Sequence, residues 1–126
     1  MNNLKKKSQE AAEHYLCRRG YEILETSWPS AAGVVDIIAK DGNMLVFTQV
    51  SCRKGAEKGF PTERVTQSTR AKREMMVLDY LSSHEAVDVA VRFDHVSLVV
   101  VDDSRAMVRH HINCFAPAED ALAEAA

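Results

Sequence analysis

The apolar and polar positions near the start of the chain repeat with the spacing of a helix. Apolar residues stand at positions 4, 11, 12, 15 and 16, and Gly20 follows where a C-terminal cap belongs. This pattern predicts a first helix from about Leu4 to Arg19. Its polar positions, which include a run of three lysines, would then face solvent.

Three strand patterns follow this helix. The segment YEILET, residues 21–26, alternates polar and apolar residues and predicts a short strand that Trp28-Pro29-Ser30 ends. The β-branched run from Val34 to Ala39 predicts a strand that is covered on both faces. Asp41-Gly42-Asn43 is a hairpin-turn signal, after which Met44 to Val50 predicts the returning strand.

The second half of the chain predicts one helix and two strands. A charged, glycine-containing loop at 54–61 precedes a helical pattern from about Thr66 to Ser83. A long apolar strand is expected over 89–102, and another strand over 107–112. The order αβββαββ predicts an α/β (α+β) domain with a mixed sheet flanked by helices. We expect one domain over residues 1–116, followed by an acidic, alanine-rich tail over 117–126.

Composition narrows the class of protein. The chain of 126 residues is 46% hydrophobic and 27% charged, which is ordinary for one globular domain. It has no apolar run of transmembrane length, and its basic N-terminus lacks the apolar segment of a signal peptide. We therefore expect a cytoplasmic protein that does not use a membrane. Three widely spaced cysteines argue against a disulfide framework and a structural zinc site.

Charge is distributed unevenly along the chain. The net charge is −2, but residues 1–73 hold 13 Lys and Arg against 8 Asp and Glu, a net of +5. Residues 74–126 hold 3 against 10, a net of −7. A basic half of this kind can bind a polyanion while the whole molecule is mildly acidic, although an uneven solvated surface explains the charges equally well.

Asp36 is the residue in this sequence that most needs an explanation. It stands inside the apolar run 34–39, where a buried carboxylate is costly unless it has partners or a function. The next predicted strand offers Gln49 and Ser51 rather than charged residues.

Several stretches of the sequence resemble the YraN family of small bacterial proteins. The matching pieces are QEAAEHYLCRRGYEIL, GVVDIIAKDGNMLVFTQV, GFPTERVT with the basic helix after it, RFDHVSLVV and HHINCF. This family is similar to archaeal Holliday junction resolvases and to the restriction-endonuclease-like fold. The resemblance implies a nuclease-type site in which a helix Glu, a strand Asp and a Glu-x-Lys on the next strand converge on magnesium. It also allows a symmetric homodimer, without locating its interface.

The resemblance is only partial at the site itself. It implies a metal set of Glu10, Asp36 and Gln49, with Asp36, Gln49 and Ser51 at the catalytic positions. Gln49 stands in the place of the strand carboxylate, Ser51 in that of the lysine, and Val34 in that of a glutamate. With so few carboxylates, magnesium or manganese would bind weakly or not at all. Arg53 and Lys40 share the strand parity of the site and are candidates for a displaced lysine.

Basic residues beyond the site are candidates for holding phosphates, although a solvated helix face explains them equally well. They are Arg53, Lys54, Arg64, Arg70, Lys72 and Arg73. His110 and His111 alternate along a strand, so they cannot both face one metal, and we expect them at a sheet edge.

Three functions are compatible with these features. The first is a nucleic-acid-binding protein, with DNA as the expected partner, whose degenerate metal site cleaves little or not at all. The second is a slow magnesium- or manganese-dependent endonuclease that acts on branched DNA. The third is a protein-interaction module that does not bind nucleic acid. Gln49 and Ser51 argue against the enzyme, because loss of a positioned acid–base group costs about 10²–10⁴ in rate. The basic half argues against the pure interaction module.

Overall fold

The computed structural model describes residues 3–55, 66–84 and 89–112, which form a mixed sheet with a helix against each face. The elements are α1 (Asn3–Arg18), β1 (Glu22–Ser30), β2 (Gly33–Asp41), β3 (Met44–Lys54), α2 (Gln67–Ser83), β4 (Ala90–Asp102) and β5 (Arg105–His111). The order αβββαββ and the restriction-endonuclease-like fold class predicted from the sequence are confirmed.

The five strands lie side by side in the order of the sequence. β3 and β4 are parallel, and the other neighbours are antiparallel. A parallel pair needs a long crossover, and α2 lies in that connection. α2 therefore packs on one face of the sheet, while α1 covers the other.

Each face of the sheet has its own apolar cluster. Ala12 and Leu16 of α1 pack against strand residues that include Ile37, Val46 and Val96. On the opposite face, α2 packs on a second group of strand residues, and its buried apolar side chains are Met76, Val77 and Tyr80. Strand residues alternate between the faces, so a strand buried on both reads as a continuous apolar run, as predicted for β2.

β1 is longer than the sequence pattern predicts. Trp28-Pro29-Ser30 does not end it, because Trp28 pairs with Val35 and Pro29 with Val34. β1 is the first strand of the described sheet, and proline, which lacks the N–H group, is tolerated in such an edge strand. Trp28 also packs edge-on against the ring of Tyr80, with the ring centroids 5.2 Å apart.

β3 is also longer than predicted, because it ends at Lys54 rather than Val50, and the other element boundaries match the sequence signals closely. Gly20 and Gly42 have φ angles of +87° and +63°, as their predicted cap and turn positions require. Thr66 caps α2, because its side chain accepts a hydrogen bond from the Thr69 N–H. The predicted loop after Lys54 and the tail at 117–126 lie outside the described residues. Neither helix in the described parts is long and apolar enough to cross a membrane.

Candidate functional site

The sheet divides at Asp36 and Gln49. β2 and β3 pair from Asp41–Met44 to Ile37–Thr48, and within the described residues their pairing goes no further. β2 continues along β1, whereas β3 continues along β4 as far as Lys54. We call the point where β2 and β3 separate, at Asp36 and Gln49, the fork. In the family pattern, the strand aspartate and the first residue of Glu-x-Lys fall at this fork.

Side chains replace the strand hydrogen bonds at the fork. Gln49 Oε1 accepts a hydrogen bond from the Asp36 backbone N–H at 3.1 Å, and Gln49 Nε2 donates to the Val34 carbonyl oxygen at 3.0 Å. The Asp36 carboxylate accepts from the Val50 backbone N–H at 2.8 Å. Gln49 thus acts as acceptor and donor at once. An ionised glutamate could not make both bonds, because it has no proton to donate.

Asp36 is buried, with 7% of its surface exposed. Burial raises the pKa of its carboxyl group above the ordinary value, because the charged form loses hydration. The hydrogen bond from Val50 and the positive charge of Lys5 act in the opposite direction and lower this pKa. The carboxylate is therefore held by the strand beside it rather than by the side chains of Gln49 and Ser51.

The first turns of α1 lie next to the fork. Gln9 Nε2 donates hydrogen bonds to the backbone carbonyl of Asp36 at 3.2 Å and to Ser27 Oγ at 3.1 Å. Lys5 is four residues earlier and so lies on the same face of the helix as Gln9. α1 therefore presents an amide and an ammonium group to this part of the sheet.

Glu10 does not join Asp36. The residues of α1 that are buried against the sheet are Ser8, Ala12 and Leu16, whereas Glu10 is exposed. In an α-helix, a residue two positions from both Ser8 and Ala12 points away from the face they form. The expected convergence of Glu10 on Asp36 is thus not found, and Gln9 and Lys5 are the α1 residues on the fork side.

Ser51 is bonded to β4. Its Oγ lies 2.8 Å from His95 Nε2 and 3.5 Å from Ser97 Oγ, because the parallel register places Ser51 beside Ser97. Ser51, which stands where the family pattern has the catalytic lysine, therefore belongs to a polar cluster between β3 and β4.

The side chains at the fork do not fit a magnesium ion. The described residues contain no group of three or more His, Cys, Asp or Glu side chains placed to hold a metal. One oxygen of Asp36 and the amide oxygen of Gln49 are used by backbone N–H groups. Magnesium is usually held by one or two carboxylates together with several waters, and without Glu10 the fork offers one carboxylate, one oxygen of which is already engaged.

The two candidates for a displaced lysine lie away from the fork. Lys40 is exposed and pairs with Leu45, four residues along β2 from Asp36, which corresponds to about 13 Å. Arg53 is four residues beyond Gln49 on β3 and pairs with Val99. Neither backbone position is at the fork, so the replacement of the missing lysine by Arg53 or Lys40 stays a prediction.

The basic residues of the second helix have unequal environments. Arg73 is only 3% exposed, and its guanidinium lies 4.9 Å from the centroid of the Phe93 ring. The expectation that Arg73 grips phosphate is wrong for this reason. Arg70 forms an ion pair with Glu74 at 3.0 Å. Of the remaining candidates, Lys54 and Lys72 are exposed, and Arg64 lies outside the described residues.

A buried ionic cluster that the sequence pattern did not predict lies between α1 and the last two strands. The Asp94 side chain is fully buried and accepts hydrogen bonds from Arg92 at 2.9 and 3.0 Å and from His110 at 2.7 Å. Arg92 also donates to the Tyr21 hydroxyl at 2.6 Å. Bonding to Asp94 raises the pKa of Arg92. The signal in the sequence was the spacing of Arg92 and Asp94, which places both on one face of a strand.

The position of His110 follows from this cluster. His110 does belong to an end strand of the described sheet, as predicted, but only 4% of its side chain is exposed. Its ring also lies edge-on to that of Tyr15, whose hydroxyl is 3.4 Å from His110 Nδ1. His110 therefore links β5 to both β4 and α1.

Comparison with known proteins decides the family. The model described as "Uncharacterised protein family UPF0102" matches residues 9–98. The chain belongs to the UPF0102 family. UPF0102 proteins from Rhodococcus opacus and Carboxydothermus hydrogenoformans are each 32% identical to it, over 107 and 110 residues. These alignments cover 85% and 87% of this chain, and 91% and 92% of the relatives.

UPF0102 is the YraN family, so the resemblance read from the sequence is confirmed. A further UPF0102 protein, from Roseiflexus castenholzii, is 33% identical over 99 residues, which cover 69% of this chain and 80% of the relative. The matched range 9–98 contains the fork and the polar side chains of Ser51, His95 and Ser97. Lys5 and His110 lie outside it.

Proposed function

We propose that this UPF0102 protein binds nucleic acid through its phosphates and cleaves it little or not at all. The observation that carries the proposal is that the first turns of α1, which bear three lysines, lie beside the fork. The Asp36 carboxylate at the fork is already engaged in a hydrogen bond. Lys5, Lys6 and Lys7 are exposed there, and Lys5 acts electrostatically on Asp36.

A lysine cluster at this place favours phosphate binding over a purely structural role. Helices are stabilised by acidic residues in the first turn, and α1 has none there. Three lysines near the N-terminal end cost helix stability, so a benefit elsewhere is expected. Counterion release on binding a polyanion supplies such a benefit.

The environment of Asp36 argues against cleavage. Nucleases of this fold use carboxylates to hold a metal and a lysine to activate water, in the pattern that the family resemblance implies. Here one carboxylate oxygen and the amide of Gln49 hold β2 against β3, and Ser51 is bonded to His95. These bonds give the groups a structural role at the fork, which favours binding without cleavage.

Binding is tested with fluorescent DNA in the presence of EDTA, by measuring anisotropy over a series of salt concentrations. We expect affinity to fall steeply as salt rises, for branched and linear DNA alike. The double variant Lys5→Glu/Lys6→Glu should bind much more weakly. The matched control Arg18→Glu/Lys40→Glu changes the same charge at exposed positions away from the fork and should bind nearly as well as the natural protein. Absence of binding at low salt would favour the interaction module.

Cleavage is tested separately with supercoiled and branched DNA in manganese. We expect no more product from the natural protein than from Asp36→Ala. Brisk cleavage that Asp36→Ala abolishes would instead establish the endonuclease.

A further inference from the structure

We propose that Lys5 is the phosphate-binding residue of the fork, where it supplies from α1 the positive charge that β3 lacks. This inference rests on the proposed function and gives it a specific contact. The ligand is a single phosphate group of a nucleic-acid backbone, which Lys5 binds as a point charge.

Two contacts fix the position of Lys5. Gln9 donates to the Asp36 carbonyl and to Ser27, which holds the second turn of α1 over the fork. Ser8, on the same turn, is 2% exposed and packed against the sheet. Lys5 lies one turn earlier on the Gln9 face, about 6 Å along the helix axis. Its backbone is therefore anchored while its side chain is exposed to solvent.

Lys6 and Lys7 have the same charge but different directions. Successive residues of a helix are separated by about 100°, so Lys6 points to the side of the fork and Lys7 points away from it. Both are exposed. Lys5 is the charged residue of α1 that acts on Asp36. The three lysines therefore differ mainly in the direction in which they point from the helix, so their variants can be compared directly.

Asp36 is the negative charge at the fork that a phosphate bound by Lys5 would meet. Asp36 is buried and held by Val50, so it cannot move toward a ligand, whereas the exposed Lys5 side chain can. A phosphate bound by Lys5 would therefore lie near a fixed negative charge. Removing the charge of Asp36 should therefore strengthen binding, which is the opposite of what a metal-ligating carboxylate would do.

The experiment compares Lys5→Ala, Lys6→Ala, Lys7→Ala and Lys40→Ala in the full chain, with duplex DNA in EDTA. We expect Lys5→Ala to lower the slope of log affinity against log salt by about 1, as loss of one phosphate contact requires. Lys6→Ala and Lys7→Ala should lower it by clearly less, and Lys40→Ala should leave it unchanged. Asp36→Asn should bind more tightly than the natural protein. Equal effects of the three α1 lysines, or weaker binding by Asp36→Asn, would overturn the inference.

Absence of DNA binding by the natural protein would overturn the proposed function and the phosphate role together. Binding with equal lysine effects would overturn the role of Lys5 alone.

Discussion

Gln49 Oε1 accepts a hydrogen bond from the Asp36 backbone N–H at 3.1 Å, so a side-chain amide joins two strands that no longer pair with each other. The same amide donates to the Val34 carbonyl. The side chain of Gln49 therefore has a structural role that an ionised glutamate could not fill. Its two different ends each satisfy a backbone group of β2 that would otherwise lose its partner where the strands separate.

Replacing this amide by a carboxylate should destabilise the protein. Gln49→Glu removes the donor to the Val34 carbonyl and places an anion against its oxygen, at an expected cost of about 1–3 kcal/mol in the free energy of unfolding at pH 7. The cost should shrink below about pH 4, where a protonated glutamate donates again. Urea unfolding at pH 7 and below about pH 4 measures the cost under each condition. Gln67→Glu, at the exposed start of α2, is the matched control and should cost nothing. Equal stability of Gln49→Glu at pH 7 would contradict the role of the amide.

The raised pKa of Asp36 predicts the pH dependence of stability. A carboxyl group whose pKa is raised by folding contributes stability that is present below the unfolded value of about 3.9 and is lost as pH rises through the folded value. Asp36→Asn keeps an acceptor for the Val50 N–H and removes the charge. We expect this variant to be more stable than the natural protein at pH 7 and similar to it at pH 3, in urea unfolding at both pH values.

Asp102 provides a control of opposite sign. Its pKa is lowered, chiefly by the hydrogen bond from Arg105, so its contribution is present at neutral pH and lost on acidification. Asp102→Asn should therefore be slightly less stable than the natural protein at pH 7 and equal to it at pH 2. If Asp36→Asn is also less stable than the natural protein at pH 7, burial is not the dominant influence on the pKa of Asp36.

Arg73 and Lys72 are neighbours in α2 with opposite environments, and their alanine variants should separate stability from binding. Arg73→Ala loses the packing of a buried stem and the contact with Phe93, at an expected cost of about 1–3 kcal/mol. Lys72→Ala should leave the thermal midpoint unchanged. Normal stability of Arg73→Ala together with loss of DNA binding would restore Arg73 as a phosphate ligand.

Asp94 should be among the most sensitive positions in the protein. Asp94→Ala leaves Arg92 partly buried without its carboxylate and His110 without its main anchor, and removing one partner of a buried pair costs about 3–5 kcal/mol. We expect faster amide hydrogen exchange in β5, because His110 fixes that strand to β4 and α1. Asp103→Ala, at an exposed position in the β4–β5 turn, is the control and should change neither measurement. Unchanged exchange in β5 would show that other contacts hold the strand.

Most of the fold could be predicted because its signals are local. Helical spacing, the β-branched run and the turn at Gly42 each depend on a few neighbouring residues, and they located two helices and five strands within the described residues. The pattern also marked Asp36 as unusual, since a carboxylate inside an apolar run is unusual in any fold. The clearest error, the end predicted for β1 at Trp28, arose because the effect of a proline depends on whether its strand lies at an edge.

What the sequence by itself determined is thus the order of the elements, the family and the unusual position of Asp36 inside an apolar strand. The tertiary structure decided which side chains meet there. Gln9 and Asp36 are 27 positions apart, and Asp94 and His110 are 16 apart, so no local pattern records their contact. Arg73 and Lys72 are adjacent basic residues in the sequence, and only the packing of α2 on the sheet makes one a core residue and the other a surface residue. The physical reason is that the environment of a charge is set by whatever surrounds it in space, and distant segments supply most of those surroundings.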